Sequence, residues 1–439
     1  MSFLFKNGRF WLVALLGSAS GLFAQRPESL TVAADPVRFA KVSPLGKVPD
    51  WQHLKRYAHT LPREEFVTAW GEIYSPEKGL PPPFEITLDA LVVPTGDPSD
   101  PVVKIPFRTA SEQAALSPLS WRRAADLPRL RDRPPLSDLH IALDPGHIGG
   151  AWAQMEERFL SFKPGESIQE GDLSLLAARV LSERLQALGA RVSFVRDRAE
   201  PVTEQRPADF DRIARATLEE HGILTPLATY AGVQGDAKVL TVQWQTEKLF
   251  YRVSEIRARA DRVNLKIEPD LVLCLHLNAE SWGAAEAPQF SPQNHLHILV
   301  NGCYAPVELE QQDVRFEMLT RLFNRVHEEE IPLASAVAEG MASSTGLPAY
   351  VYTTPNARKA GTNPYVYARN LLANRLYECP VVYLEPFVMN HEETYRRLLV
   401  GHYVGRTLVG GRLQPSAIED YVRGVVQGLL SYYQNQRRS

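Results

Sequence analysis

Residues 139–150 read LHIALDPGHIGG. A short apolar run, Leu139, Ile141, Ala142 and Leu143, stops abruptly on Asp144-Pro145-Gly146-His147, and Gly149 and Gly150 follow. The run has the length and flanks of a buried strand. Pro145 cannot continue a ladder, and the glycines permit a tight turn. A chain folding around this feature ends a strand by delivering a carboxylate and an imidazole into a loop. In open α/β sheets ligands sit at that end of the strands. Taken alone, the stretch is explained equally well by an ordinary strand-to-loop turn with a chance histidine.

From residue 139 onward strands and helices alternate. Leu173, Leu176, Ala177, Val180, Leu181, Leu185 and Leu188 mark one face of a helix over 172–188, closed by Gly189. A strand over 191–195 and a helix over 255–263 come next, and 271–277 (LVLCLHL) is apolar throughout. Such a strand lies at the centre of a sheet covered on both sides. A strand over 296–300, helices over 316–326 and 333–344 separated by a break at Pro332, and a strand over 381–384 complete the pattern. The last helix opens on a capping box of Ser416 and Glu419. The expected fold is a doubly wound, mostly parallel α/β sheet with helices on both faces, over residues 138–435. Residues 199–249 exceed an ordinary connection of about 2–6 residues and read as an inserted subdomain or lid, helical over 208–220. Residues 27–135, divided by proline clusters, read as a small α+β accessory region with no catalytic constellation.

The chain has 439 residues, 44% hydrophobic and 23% charged, enough for two domains, and its net charge of -3 gives no reason to expect nucleic acid. Residues 1–24 read as a signal peptide: Lys6 and Arg9 precede an apolar core over 10–16, with cleavage near Ala24. No later run suits a transmembrane anchor, so the expected mature protein is exported, periplasmic or secreted, and soluble. Of the three cysteines, Cys274 reads as a small buried hydrophobe, and pairing of Cys303 with Cys379 stays open.

The scaffold gathers polar residues at one rim. The run 271–277 leads into His276-Leu277-Asn278, the last strand ends in Glu385-Pro386, and Glu170 opens the helix after the His147 loop. Two imidazoles and a carboxylate are the usual protein ligands of a catalytic zinc, and a second carboxylate outside that set can move protons. Separately, His276 reads as a hydrogen-bonded core histidine and Glu170 as an acid at a helix start; together they favour a metal site. His295, His297, His391 and His402 read as structural or surface residues, the first two along the edge of the cleft.

In these motifs the chain resembles the zinc-dependent N-acetylmuramoyl-L-alanine amidases of the amidase-3 type, cell-wall hydrolases with a phosphorylase/hydrolase-like fold. The resemblance rests on Asp144-Pro145-Gly146-His147, Glu170-Gly171-Asp172-Leu173, Val195-Arg196-Asp197 and Glu255-Ile256-Arg257 leading into Asp270-Leu271. It is completed by His276-Leu277-Asn278-Ala279 and the run from Pro380 to Glu385. It covers about residues 138–435, without the insertion. It implies Zn2+ held by His147, Glu170 and His276, with Glu385 as the catalytic carboxylate. It also places Arg375 at the oxyanion or beside Glu385, and Asp144 and Asn278 as support behind the ligands. Ile148 departs from the pattern of two glycines directly after the first histidine. The loop from His147 to Glu170 is long and carries Glu156, Glu157 and Glu166 as rival ligands; only Glu170 precedes the Asp-Leu helix start. The implied substrate is peptidoglycan. Rival readings are a zinc peptidase acting on the stem peptide and a non-catalytic peptidoglycan-binding scaffold. By the same resemblance, the insertion 199–249 is expected to cover the zinc until an activator protein removes it, to wall the substrate groove, or to pack away from the site.

Overall fold

In the computed structural model, which describes residues 38–112, 119–130, 132–284 and 287–437, the apolar run becomes the strand His140–Pro145, buried throughout. The signal-peptide reading of residues 1–24 lies outside the described residues. The strand belongs to a seven-stranded sheet. Its order is Arg358–Lys359, Val366–Ala368, Leu296–Val300, Val381–Pro386, Leu271–Leu275, His140–Pro145 and Arg191–Phe194. The last four run parallel, so Glu385, His276 and the His147 loop leave along one edge. The sheet is mostly parallel, as expected, with two antiparallel pairings, one of them at its edge between Arg358–Lys359 and Val366–Ala368. Leu296–Val300 runs antiparallel to Val381–Pro386 and places His297 directly opposite Glu385. A strand of five buried residues reads the same in either direction, and only pairing sets its sense.

Both faces are covered. Leu143, Leu273, Leu275, Val382 and Leu384 pack against Leu181, Val337, Val422 and Val425 on the helices Glu170–Ala187, His327–Thr345 and Ala417–Gln436. On the other face Ala142, Val272, Cys274 and Val381 meet Ala260, Val263 and Tyr377. Pro332 does not break its helix: it lies within His327–Thr345. Pro332 and Glu328, whose carbonyl cannot accept from a proline nitrogen, both lie on the exposed side of the helix. Ser416 caps the last helix through the Ile418 amide, but Glu419 turns to Arg184 and His402, each at 3.2 Å, and does not close the box.

The expected helix over 255–263 is one segment of a continuous helical run from Val242 to Ile267, so the insertion ends inside a helix. Its apolar side chains Phe210, Ala214, Leu218 and Leu249 form one cluster with Phe250 and with Ile148, the residue after His147. The N-terminal segment contributes an antiparallel sheet of Glu85–Ile86, Ala90–Pro94 and Val102–Pro106. Its Tyr57, Phe66, Leu91 and Val93 share a core with Met318, Leu322 and Phe323 of the helix Gln312–Phe323. Cys274, Cys303 and Cys379 are free and buried. Among the described residues no helix is long and apolar enough to cross a membrane.

Candidate metal centre

Three side chains meet where the strands end. Glu170, the first residue of its helix and 2% exposed, points one carboxylate oxygen at each histidine. Oε1 lies 3.0 Å from His276 Nδ1, and Oε2 lies 3.2 Å from His147 Nε2. The Leu277 amide also donates to Oε1 at 3.2 Å. One donor atom from each of His147, Glu170 and His276 falls within 4.8 Å of the others. Burial opposes the charge on Glu170, yet the two histidines hold its carboxyl well below the ordinary carboxylate range. Burial also works against His147, but Glu170 and Glu156 raise it above an ordinary histidine. Burial lowers His276, whose ring stacks on Tyr383 at 4.3 Å.

The loop is held in a form it would not adopt alone. His147 has φ 56°, a left-handed conformation that costs an L-residue about 1–2 kcal/mol. Two buried arginines compensate. Arg259 donates to Asp144 Oδ1 at 2.9 Å, to the Pro145 carbonyl at 2.8 Å and to the His147 carbonyl at 2.7 Å. Arg196 donates to the carbonyls of Gly171 at 2.9 Å and Gly146 at 3.3 Å. Gly146 is required for a steric reason: a Cβ there would lie 2.1 Å from the His276 ring.

The rivals of Glu170 have other partners. Glu156, 2% exposed, accepts from the amides of Ile148 at 2.9 Å and Gly149 at 3.1 Å. It faces His147 Nδ1 at 3.5 Å, which favours the proton on that nitrogen and leaves Nε2 as the donor atom. Glu157 pairs with Lys238 of the insertion, and Glu166 lies beside Lys163 at 3.9 Å.

Glu385 reaches the rim one strand away from His276. Among the described residues its carboxylate has no hydrogen-bonding or ion-pair partner. Burial and the Glu170 charge push it well above the carboxylate range, against Arg158 and Arg369. Arg375 is not brought to it: its guanidinium donates to Glu317 at 2.7 Å and Asn370 at 2.9 Å. Arg369 and Arg158 are the cations whose charge acts on Glu385. Asp144 supports the loop through Arg259 and through the Tyr377 hydroxyl, which donates to it at 2.6 Å. Asn278 accepts from the Ala279 amide at 2.7 Å, and its backbone ties down Phe387 and Met389.

Arg259, Arg196 and Arg158 were not foreseen as site residues. Glu255 and Arg259, four apart on a helix, carry the one available signal, an i,i+4 acid–base pair, here at 2.7 Å. Arg257, within the quoted motif, goes instead to Ser43 and Asp313.

The fold and the donors define an α/β domain whose sheet edge carries a largely buried His–Glu–His cluster able to hold a metal ion. Two imidazoles and one carboxylate converging on one point suit zinc with an open position, and both oxygens of the buried Glu170 already face the histidines. No family model matches the chain, and no curated protein does. Among solved structures, it is similar to the apo form of an N-acetylmuramyl-L-alanine amidase from Mycobacterium abscessus, with 15% identity over 68% of this chain and 99% of that one and a TM-score of 0.33. An N-acetylmuramoyl-L-alanine amidase from Clostridium difficile 630 is similar at 14% identity over 67% and 96%, with a TM-score of 0.34. So is the amidase AmiC2 of Nostoc punctiforme, at 13% identity over 68% and 99%, with a TM-score of 0.35. At TM-scores this low the likeness carries no inference about chemistry, which the side chains have to supply.

Proposed function

We propose that the protein is an exported zinc amidase that hydrolyses the amide between N-acetylmuramic acid and L-alanine in peptidoglycan. One observation carries this reading. A buried carboxylate, Glu170, faces two histidines, and the unpartnered carboxyl of Glu385 stands on the same rim. The six motifs quoted above supply the choice of bond.

His147, Glu170 and His276 would hold a zinc ion, which when bound would act as a Lewis acid toward the amide carbonyl and lower the pKa of water to near neutral. Glu385 takes the proton of the attacking water on its carboxylate and hands it to the departing alanine nitrogen. A carboxyl raised by burial holds that proton long enough to deliver it. Glu156 keeps His147 in one tautomer, and Arg259 and Arg196 fix the loop from which it projects. Arg369, whose charge acts on Glu385, takes the supporting place expected of Arg375.

The test is metal analysis of the purified chain together with digestion of isolated peptidoglycan. Free stem peptides beginning with L-alanine are expected. New amino termini inside the stem would point to a peptidase, and an intact polymer despite bound zinc would point to a scaffold.

A further inference from the structure

Arg158 reaches into the His147–Glu170–His276 cluster. Its Nε lies 3.1 Å from Glu170 Oε2 and 3.3 Å from His147 Nε2, two donor atoms of the cluster. Because Glu156 faces His147 Nδ1, the lone pair of Nε2 is the one that meets this N–H. The placement is built into the backbone. Glu157 turns the chain at φ 56°, and the Arg158 carbonyl accepts from the Glu170 amide at 3.1 Å. Glu157 is in turn held by Lys238 of the insertion. A guanidinium does not lose its charge in a protein, so it and a divalent cation cannot share one pair of donors.

We propose that Arg158 is an internal cation competing with the metal for His147 and Glu170, so that metal binding and expulsion of its guanidinium are a single event. This rests on the zinc reading of the centre. Arg158 is the permanently charged cation beside the buried Glu170 carboxylate, which also faces the two histidines. On metal binding it leaves both Glu170 and His147. The metal affinity of the centre is therefore lower than its donor set alone would confer.

Zinc affinity, measured by competition with a chromogenic chelator, tests the proposal in wild type and Arg158→Gln. Removing charge-assisted hydrogen bonds from the competing state is expected to tighten zinc binding about tenfold or more. Arg158→Lys, which keeps the charge, should stay closer to wild type. Equal or weaker binding by folded Arg158→Gln would overturn competition while leaving the zinc reading intact. Failure of both wild type and variant to bind zinc would remove the zinc reading itself. A second measurement needs no variant that might misfold. In the 15N-arginine-labelled wild-type chain, the Arg158 Nε–H, hydrogen-bonded to His147 and ion-paired with Glu170, should lose its slow exchange at one equivalent of zinc. Unchanged exchange of every arginine Nε–H in the zinc-loaded chain would count against displacement.

Discussion

Asp144 and Arg259 form an ion pair at 2.9 Å with both side chains buried, and the same guanidinium donates to the His147 carbonyl. The end of the strand His140–Pro145 and the candidate ligand His147 are thus tied to one side chain on the helix Glu255–Arg262. Glu255, paired with Arg259 at 2.7 Å, also accepts from the amides of Val202 and Thr203 at the start of the insertion. One buried network joins the insertion to the site.

Arg259→Ala should therefore be severe. It leaves Asp144 and Glu255 as buried charges without a counter-ion, a loss of about 3–5 kcal/mol. Denaturant unfolding would measure it, and bound zinc per chain should fall in parallel. Stability within 1 kcal/mol of wild type, a small change by the usual scale, would mean that the loop does not depend on this arginine.

The roles of the two glutamates separate by metal content. His147→Ala and His276→Ala should lose both zinc and amide hydrolysis. Glu385→Gln should keep zinc and lose turnover by at least about a hundredfold, as expected for removal of a general base. Loss of the metal from Glu385→Gln as complete as from His147→Ala would show that it is a ligand.

Gly146→Ala adds one methyl group that would meet the His276 ring at 2.1–2.4 Å. Displacement of the ring should reduce zinc binding, although no ligand has been changed. Elemental analysis showing full zinc occupancy would contradict the close packing of loop and ring.

The insertion should support the centre. Phe210 is buried with Ile148 and Phe250, and Phe210→Ala should cost about 3–5 kcal/mol. Loosening Ile148 also frees His147, so zinc should dissociate faster into excess chelator than from wild type. An unchanged dissociation rate would separate the insertion from the metal loop.

His327 provides a pH test remote from the metal. Burial pushes it down from 6.5 to about 4, against the Tyr74 hydroxyl at 3.4 Å. The unfolded chain takes up this proton below about 6.5, whereas the folded chain does so only near 4. Stability is therefore lost as pH falls through that window, by up to about 3 kcal/mol. His327→Gln should flatten this part of the stability profile. An unchanged slope between pH 6.5 and 4 would exclude His327 as its source.

Local pattern was enough to place the strands around Asp144, Leu273 and Leu384 and the helix after Glu170, because period and turn residues act within a few positions of themselves. It also placed His147, Glu170, His276 and Glu385 at one rim, since parallel strands in one sheet share an edge. The sense of Leu296–Val300 depends on pairing, and the tolerance of Pro332 depends on which side of its helix faces water. The continuous helical run from Val242 to Ile267 is stabilised where Leu249 and Phe250 bury themselves against Ile148, far away in the sequence. Arg375 was expected at the oxyanion or beside Glu385, but the packed helices pair it with Glu317. The partners of Arg259, Arg196 and Arg158 were illegible for the same reason: a long side chain reaches many groups. Only the folded chain decides which carbonyls and carboxylates lie within its reach.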